Sequence, residues 1–424
     1  MLNKLKQFWQ IRDLRNNLIF VMGMLVIFRI AAHIPLPGIN IANLKDLFSR
    51  NEMLGMLNVL SGGAMANLSI VAMGVAPYIT ASIIMQLLTM IFPRLEELSK
   101  EGSSGYQKIN QYSRLLAVPL ALLQSYGMLM IFRQSSQPII NSLSKFGLVN
   151  ILVVMSAGTI FLMWLGELIT EKKIGNGISL IIFAGIVERL PISLQQTIAT
   201  FSKEQILNLA VLAVLALITI AGVVILTEGQ RNIPVTYARR IRGNRMYGGM
   251  DTYLPLRVNQ AGMIPIIFAI SIVLFPGLVG QLMMRSDSSL IIGIGRVLVN
   301  FVQNQLIYGI IYFILVVAFT YFYTSIIFHP AQIADNLQKQ GGFVFGLRPG
   351  QPTAQYLSNI SNRIMLAGAL SLGIIAVLPI ITQGIFKMAT FVVGGAAILI
   401  VVSVVLETVK QVQAQVSMHE YEGL

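Results

Sequence analysis

The stretch SGGAMANLSIVAMGVAPYITASIIMQL, residues 61–87, decides the fold of this chain. It lies within residues 53–93, a run of 41 residues that contains no Asp, Glu, Lys or Arg. A membrane-spanning helix needs about 20 apolar residues, so the run is long enough to cross a membrane twice. Gly62, Gly74 and Pro77 interrupt it. The segment therefore crosses twice, crosses once, or crosses once beside a piece that stops partway.

The composition is that of an integral membrane protein. Of the 424 residues, 55% are hydrophobic and only 11% are charged, with a mean hydropathy of +0.74, whereas an ordinary soluble domain carries about 25% charged residues. The chain has no cysteine, which excludes disulfides, thiolate metal sites and cysteine nucleophiles. We interpret the net charge of +13 first as topological, because Lys and Arg accumulate on the cytoplasmic side of membrane proteins.

Apolar stretches of spanning length are separated by Pro, Gly or charge clusters along the whole chain. We expect ten membrane-spanning helices, at about residues 18–36, 72–92, 115–132, 149–168, 178–198, 207–227, 260–283, 306–328, 364–383 and 388–406.

The distribution of Lys and Arg decides how often residues 53–93 cross. With one crossing and a cytoplasmic N-terminus, 20 of these basic residues fall in inner segments and 9 in outer segments, with Arg29 inside a span. With two crossings every later loop changes side, and the counts become 11 inside and 18 outside, which inverts the positive-inside rule. We therefore predict one crossing, preceded by a short re-entrant half-helix, about residues 63–71, that enters from the outside.

Such a half-helix must lie inside the protein, because non-helical backbone at membrane depth needs protein or a water-filled cavity around it. It either caps a cavity or is a packing element with no moving part. The spans offer few ionisable residues: Arg29 is the clear exception, and Glu167 lies at the end of its span. We find no proton relay, metal site or catalytic constellation, which argues against an ion-coupled transporter and against a membrane enzyme.

Isoleucines recur at helical spacing within the spans. Ile79 and Ile83 follow Pro77, and Ile178 and Ile182 follow a GNG turn. Isoleucine in a membrane helix usually faces lipid or a neighbouring helix. A converging ring of isoleucines would instead form an apolar constriction that blocks ions by dewetting and still admits a bulky, variable chain.

Two long loops on the inner side are rich in basic and turn-forming residues. They lie at about residues 228–257, with six arginines, and 329–363, with the turn GLRPG around Arg348. Each is either a solvated positive-inside anchor or a docking surface for an acidic partner, protein or ribosomal RNA. Pro and Gly fix specific backbone conformations, which favours a shaped loop at Arg348.

Seven motifs in order carry a resemblance that covers essentially the whole chain. They are RIAAHIPLPG, LSGGAMANLSIVAMGVAPYITASIIMQLL, KIGNGISLIIFAGIV, IPVTYARRIRGNRMYGG, QAGMIPIIFA, GGFVFGLRPGQPT and the terminal YEGL. Together they resemble the SecY/Sec61-alpha family, the channel subunits of Sec protein translocases.

The resemblance implies an all-α integral membrane fold of ten helices in two inverted five-helix halves. The halves would be residues 1–200, with spans one to five and a plug at about 62–71, and residues 201–424, with spans six to ten and the two long loops. It implies a protein-conducting channel that passes unfolded secretory polypeptides and releases membrane helices laterally into lipid. The channel itself would not be an enzyme, and no cofactor or metal is expected.

The resemblance also assigns roles to individual positions. The implied apolar pore ring is Ile79, Ile83, Ile178, Ile182, Ile267 and Ile400. The implied plug is Gly62, Gly63, Ala64, Met65, Ala66, Asn67, Leu68, Ser69 and Ile70. Polar residues expected near the lateral gate, which could equally make ordinary interhelical hydrogen bonds, are Thr80, Ser82, Gln86, Gln124 and Ser271. The implied partner-docking residues are Arg239, Arg240, Arg242, Arg245 and Arg348.

The partners that the resemblance implies are macromolecular. They are small SecE-like and SecG-like membrane subunits, the SecA motor ATPase, a translating ribosome, SecDF, YidC, polypeptides with signal sequences, and membrane lipid. The implied location is the bacterial plasma membrane, with both termini cytoplasmic. Two rival readings are a small-solute secondary transporter with inverted repeats, which would need a polar site at the membrane midplane, and a structural scaffold, which would need neither plug nor ring.

Overall fold

The computed structural model places helices over most of the chain. The residues that it describes are 11–37, 43–44, 58, 61–133, 145–199, 206–237, 240–242, 245–247, 252–284, 288–386 and 395–422.

The helices of the first half of the sequence follow the predicted apolar stretches. Their bounds are α1 Arg12–His33, α2 Ala76–Ile91, α3 Pro93–Lys100, α4 Ser103–Arg133, α5 Lys145–Glu171 and α6 Gly177–Ala199. Pro77 lies in the first turn of α2, where its missing N–H costs no helical hydrogen bond. The break at Pro93 turns the chain by 103° into the charged helix α3. Asn176 caps α6, its side-chain oxygen accepting from the backbone N–H of Ile178 at 3.1 Å.

The second half combines helices with a small sheet. Its elements are α7 Ile206–Glu228, β1 Gln230–Tyr237, β2 Arg240–Arg242, β3 Arg245–Tyr247, β4 Thr252–Arg257, α8 Ile264–Met283, α9 Ser289–Gln303, α10 Gln305–Ile327, α11 Pro330–Lys339, β5 Gly342–Val344, α12 Gln351–Phe386 and α13 Gly395–Glu422. Asn304 caps α10, its side chain accepting from the N–H groups of Leu306 and Ile307.

Each of the ten predicted stretches coincides with a helix over the described residues. The helices are α1, α2, α4, α5, α6, α7, α8, α10, α12 and α13. By length and hydropathy alone, five helical segments of the described chain could span a membrane, or six if the bent pair α2–α3 counts as one broken span. The membrane fold is mostly helical as expected, and the count of ten crossings stays a prediction.

The half-helix predicted before α2 is shorter than expected. Only Ala64–Asn67 is helical, as a single 3-10 turn, and turns follow it up to α2. The backbone φ is positive at Gly62, Gly63, Leu68 and Gly74, a conformation that stops a right-handed helix. Residues 61–75, which precede α2, are buried or half-buried in the protein.

The helix contacts of the second half repeat those of the first. In the first half α1 contacts α5 and α6, α4 contacts α2 and α5, and α5 contacts α6. In the second half α7 contacts α12 and α13, α10 contacts α8 and α12, and α12 contacts α13. Between these two groups, α8 contacts α2 and α4, and α6 contacts α13.

The two long loops join in one antiparallel sheet of strand order β4-β1-β5. Ile233 of β1 pairs with Leu254 of β4, and Val235 pairs with Val344 of β5. The apolar side chains of this sheet pack against α12 through Leu357 and Ile360. The sequence reasoning treated both segments as loops, although Ile233 and Val235 alternate as in a half-buried strand.

Candidate functional site

Side chains just before the 3-10 turn hold its backbone. The Asn58 side-chain oxygen accepts from the Ala66 N–H at 2.9 Å, and the Ser61 hydroxyl oxygen accepts from the Met65 N–H at 3.1 Å. The Ser61 hydroxyl itself donates to the Asn58 carbonyl at 2.9 Å. Asn58 and Ser61 are buried, so these bonds satisfy the Asn58 side-chain oxygen and the Ser61 hydroxyl away from water.

The segment after α1 pairs with the far end of the same turn. The Leu36 N–H donates to the Leu68 carbonyl at 3.0 Å, and the Ile70 N–H donates to the Ile34 carbonyl at 3.0 Å. Pro35 and Ser69 form the β-bridge between them. Residues 34–36 therefore fix the exit of the turn, as Asn58 and Ser61 fix its entry.

The residues predicted to form the plug are buried or half-buried. The fully buried members are Gly62, Gly63, Ala64, Met65, Leu68 and Ser69, and the half-buried members are Ala66, Asn67 and Ile70. Two helices approach this segment so closely that only glycine fits. A Cβ on Gly158 of α5 would overlap the Ile70 carbonyl, and a Cβ on Gly185 of α6 would overlap the Gly62 carbonyl.

The six predicted ring isoleucines come from α2, α6, α8 and α13. Five of them are buried, with exposed fractions of 0–5%: Ile79, Ile83, Ile182, Ile267 and Ile400. They belong to the same buried cluster as Ala64, Met65 and Leu68 of the predicted plug. The sixth, Ile178, is half-buried and packs against that cluster. The structure thus brings the ring residues and the plug residues into one continuous apolar core.

The predicted gate residues bond on their own sides of the seam between α8 and the pair α2 and α4. The Gln124 amide of α4 donates to the Thr80 hydroxyl of α2 at 3.5 Å, and Thr80 donates to the Ala76 carbonyl at 3.0 Å. Within α2, Gln86 donates to Ser82 at 3.4 Å. Within α8, the Ser271 hydroxyl donates to the Ile267 carbonyl at 2.9 Å.

The predicted docking arginines lie in two places. Arg240 and Arg242 are on β2 and Arg245 begins β3 of a two-stranded hairpin, whereas Arg239 lies outside the described residues. Arg348 is exposed in the turn after β5. Positive φ at Gly346 and Gly350 shapes that turn, and the Arg348 carbonyl accepts from the Thr353 hydroxyl at 2.8 Å.

An ion pair beside the predicted plug is not predicted by the sequence analysis. Arg29 of α1 forms an ion pair with Glu188 of α6 and donates to the Gly62 carbonyl at 2.8 Å. The sequence identifies Arg29 as an intramembrane charge but does not identify its partner. The signal in the sequence was Glu188, an acidic residue inside the apolar stretch 178–198.

Comparison with protein families identifies the family of this chain. The family model described as SecY matches residues 69–409. The chain belongs to the SecY family. It is 45% identical to the protein translocase subunit SecY of Mycobacterium bovis, with 97% of each chain covered. It is 41% identical to that of Streptomyces galbus, with 100% of this chain and 99% of the relative covered.

Solved structures of similar fold are protein-conducting channels. A structure of a protein conducting channel matches with a TM-score of 0.60 at 17% identity, covering 93% of this chain and 91% of that one. Sec61 in the canine ribosome-channel complex matches with a TM-score of 0.60 at 16% identity, covering 94% and 91%. At these identities the likeness concerns the fold.

Membership of the SecY family fixes the general activity. The chain is the protein-conducting channel subunit of a translocase and is not itself an enzyme. It is a multi-pass membrane protein. The rival reading as a small-solute transporter is not favoured.

Proposed function

We propose that the polypeptide crosses through a constriction formed by the six isoleucines, with residues 62–70 as the plug that closes it from the outer side. The observation that carries this proposal is the shared buried cluster, to which five of the predicted ring isoleucines and the apolar plug side chains Ala64, Met65 and Leu68 all belong. An apolar constriction excludes ions by dewetting. Because it makes no specific polar contact, it accepts chains of many sequences.

The lateral exit lies in this proposal between α8 on one side and α2 and α4 on the other. The repeated helix contacts support two five-helix halves, residues 1–200 and 201–424, and α8 contacts α2 and α4 across the boundary. A signal sequence is an apolar helix that gains free energy by passing sideways from water into lipid. The hydroxyls of Thr80 and Ser271 donate to backbone carbonyls of their own helices, so parting the seam does not break these two bonds.

The inner loops are proposed to receive the driving partner. Arg240, Arg242 and Arg245 lie on one hairpin and Arg348 in a shaped turn of the other loop, and β1–β5 pairing joins the two loops. Arg239 completes the proposed set. A basic surface of this kind suits an acidic protein face or RNA phosphate. The proposed partners are a SecA motor or a translating ribosome, with SecE-like and SecG-like subunits, SecDF and YidC in the membrane.

The charge asymmetry supports an orientation in the bacterial plasma membrane. With both termini cytoplasmic, the Arg-rich loop 228–257 and the loop 329–363 are cytoplasmic too, as the positive-inside rule requires. The plug then faces the outer side.

A single cysteine tests the proposed path, because the natural chain has none. The variant Ile83→Cys is assembled into vesicles, and a secretory chain is trapped partway with SecA and ATP. A crosslink from residue 83 to the translocating chain is expected only with ATP and a functional signal sequence. The matched control is Ile91→Cys on the same helix, where the side chain is 70% exposed and faces lipid in this proposal.

The two positions separate the outcomes. Crosslinking at residue 83 but not at 91 supports a path through the ring. Efficient transport with no crosslink at residue 83 would show that the isoleucines are ordinary packing and that the pore assignment is wrong.

A further inference from the structure

Arg29 lies at the meeting point of α1, α6 and the first residue of the plug. Its guanidinium pairs with the Glu188 carboxylate and donates to the Gly62 carbonyl at 2.8 Å. His33, one turn further along α1, lies 3.2 Å from the other Glu188 oxygen, and its second ring nitrogen is 2.8 Å from the Arg29 carbonyl. Each terminal nitrogen of the guanidinium therefore has a partner: one contacts the Glu188 carboxylate and the other donates to the plug backbone.

Gly62 is packed closely against both α1 and α6. A Cβ at Gly62 would lie 2.9 Å from the Phe28 ring of α1 and 3.3 Å from the Ile181 carbonyl of α6. On the α6 side, Gly185 brings its backbone against the Gly62 carbonyl. The positive φ of 66° at Gly62 turns its carbonyl out of the helical direction. The backbone is thus shaped to present this one carbonyl to Arg29.

Charges at membrane depth are costly and are retained where they act. The planar guanidinium of Arg29 is held at two points, because one terminal nitrogen contacts the Glu188 carboxylate and the other donates to the Gly62 carbonyl. A hydrogen bond from a charged donor is also stronger than one between neutral groups. These three facts give the pair an orienting role that apolar packing of the plug could not supply.

We propose that Arg29, oriented by Glu188, is a latch that holds the plug in its closed position. Arg29 touches the plug and Glu188 positions Arg29. This inference rests on the proposed function, since it assumes that residues 62–70 are the plug. It adds a specific polar restraint at the plug entry, on the first half of the channel, that must break before the plug can leave.

The test measures how readily the closed plug opens in the idle channel. Ser69→Cys reports plug position, because Ser69 is 0% exposed when the plug is seated. A membrane-impermeant maleimide is added to the outer side of sealed vesicles containing the assembled complex without substrate. With Arg29→Gln, labelling of residue 69 is expected to accelerate roughly tenfold to a hundredfold, the range for losing a hydrogen bond to a charged group.

Two further variants keep the result interpretable if Arg29→Gln assembles poorly. Glu188→Gln leaves the arginine in place but removes the charge that orients it, and a smaller acceleration is expected. Arg29→Lys keeps the charge without the fork, and labelling between that of the native chain and Arg29→Gln is expected. Unchanged labelling in all three variants would overturn the latch.

A matched reporter distinguishes unlatching from general loosening. Ser125→Cys lies in α4 and is also 0% exposed, but it is not part of the plug. Its labelling should stay at the native rate in the Arg29 and Glu188 variants. Equal acceleration at residues 69 and 125 would show that the ion pair only stabilises the fold, and it would contradict the proposal.

The crosslink at residue 83 separates this inference from the proposed function. If residue 83 meets the translocating chain but residue 69 is unaffected by Arg29→Gln, the path stands and the latch is wrong. If residue 69 responds but residue 83 never meets the chain, Arg29 restrains a mobile segment that does not close the translocation path. The latch as a gating element then fails together with the pore assignment.

Discussion

The segment proposed as the plug, residues 62–70, and the proposed gate seam are held by different kinds of interaction. The plug is fixed by directed polar bonds: the Asn58 and Ser61 caps, backbone pairing with residues 34–36, and the Arg29 guanidinium. At the seam, α8 contacts α2 and α4, and buried apolar side chains of all three helices belong to one cluster, while the gate hydroxyls and amides bond on their own sides.

This difference predicts different sensitivities. Directed bonds are lost all at once when one partner is removed, and a buried group left unpaired is expensive. Apolar packing between membrane helices changes gradually with side-chain size and polarity. Single substitutions among the residues that contact the plug should therefore change plug closure strongly. Single substitutions at the seam should each change gate opening only slightly. The polar contacts of the proposed plug named above all come from first-half elements, so we expect the plug to stay with that half until it is released.

The largest effect is expected where a helix backbone meets the plug backbone. Gly185→Ala places a methyl group onto the Gly62 carbonyl, and Gly158→Ala places one onto the Ile70 carbonyl. Because backbone atoms cannot rotate away, each substitution should destabilise the seated plug by an amount near the upper end of the overpacking range, about 3 kcal/mol. Labelling of Ser69→Cys in idle channels should rise by roughly a hundredfold.

Gly23→Ala on α1 is the control for that experiment, because a Cβ there has no neighbouring atom within 4 Å. It should leave labelling at the native rate. If Gly185→Ala and Gly23→Ala label alike, the plug is not seated against α6, and the contrast with the seam loses its basis.

A moderate effect is expected when polarity is removed from the seam. Gln124→Leu and Ser271→Leu replace groups that weaken apolar contact between α4 and α8. Interhelical polar groups are worth about 0.6 kcal/mol each, so each change should shift the open fraction roughly threefold toward closed. The measurement is export of one reporter behind signal sequences of graded hydrophobicity. Both variants should need a more hydrophobic signal, and unchanged export of weak signals would count against the proposed gate.

The plug labelling assay gives the second half of that comparison. Gln124 and Ser271 are not among the residues that bond to the plug. In both variants residue 69 should therefore be labelled at the native rate in idle channels. A large change there would mean that seam and plug are held by one shared set of contacts.

Local sequence signals predicted the helices because an apolar stretch of spanning length forms a helix in a membrane. Pro77 marked the start of α2, and the charge counts placed residues 63–71 as a piece that does not span. Neither signal could give the length of that piece. Its helical part is limited by positive φ at Leu68, which glycine would signal but leucine does not, and the bonds from residues 34–36 are non-local.

The elements that the sequence reasoning missed depend on distant partners. β1 and β5 pair across about a hundred residues, from Val235 to Val344, and no local periodicity names such a partner. The ion pair between Arg29 and Glu188 likewise joins two helices far apart in the chain. The family resemblance supplied the predicted ring and plug positions, but it did not supply the contact from Arg29 to the Gly62 carbonyl.

The smallest effect is expected at the hydrogen bond between Gln124 and Thr80. Its length of 3.5 Å is beyond the usual range for N–H···O bonds, and the Thr80 hydroxyl already donates to the Ala76 carbonyl. Thr80→Val should therefore change the open fraction by less than about twofold. The signal hydrophobicity needed for export should then change little. Thr219→Val on α7 is the control, because its buried hydroxyl makes the same type of bond, to the Leu215 carbonyl, away from α2, α4 and α8. A strong export defect in Thr80→Val alone would show that this bond does hold the seam, and it would erase the contrast between an apolar seam and a plug held by directed bonds.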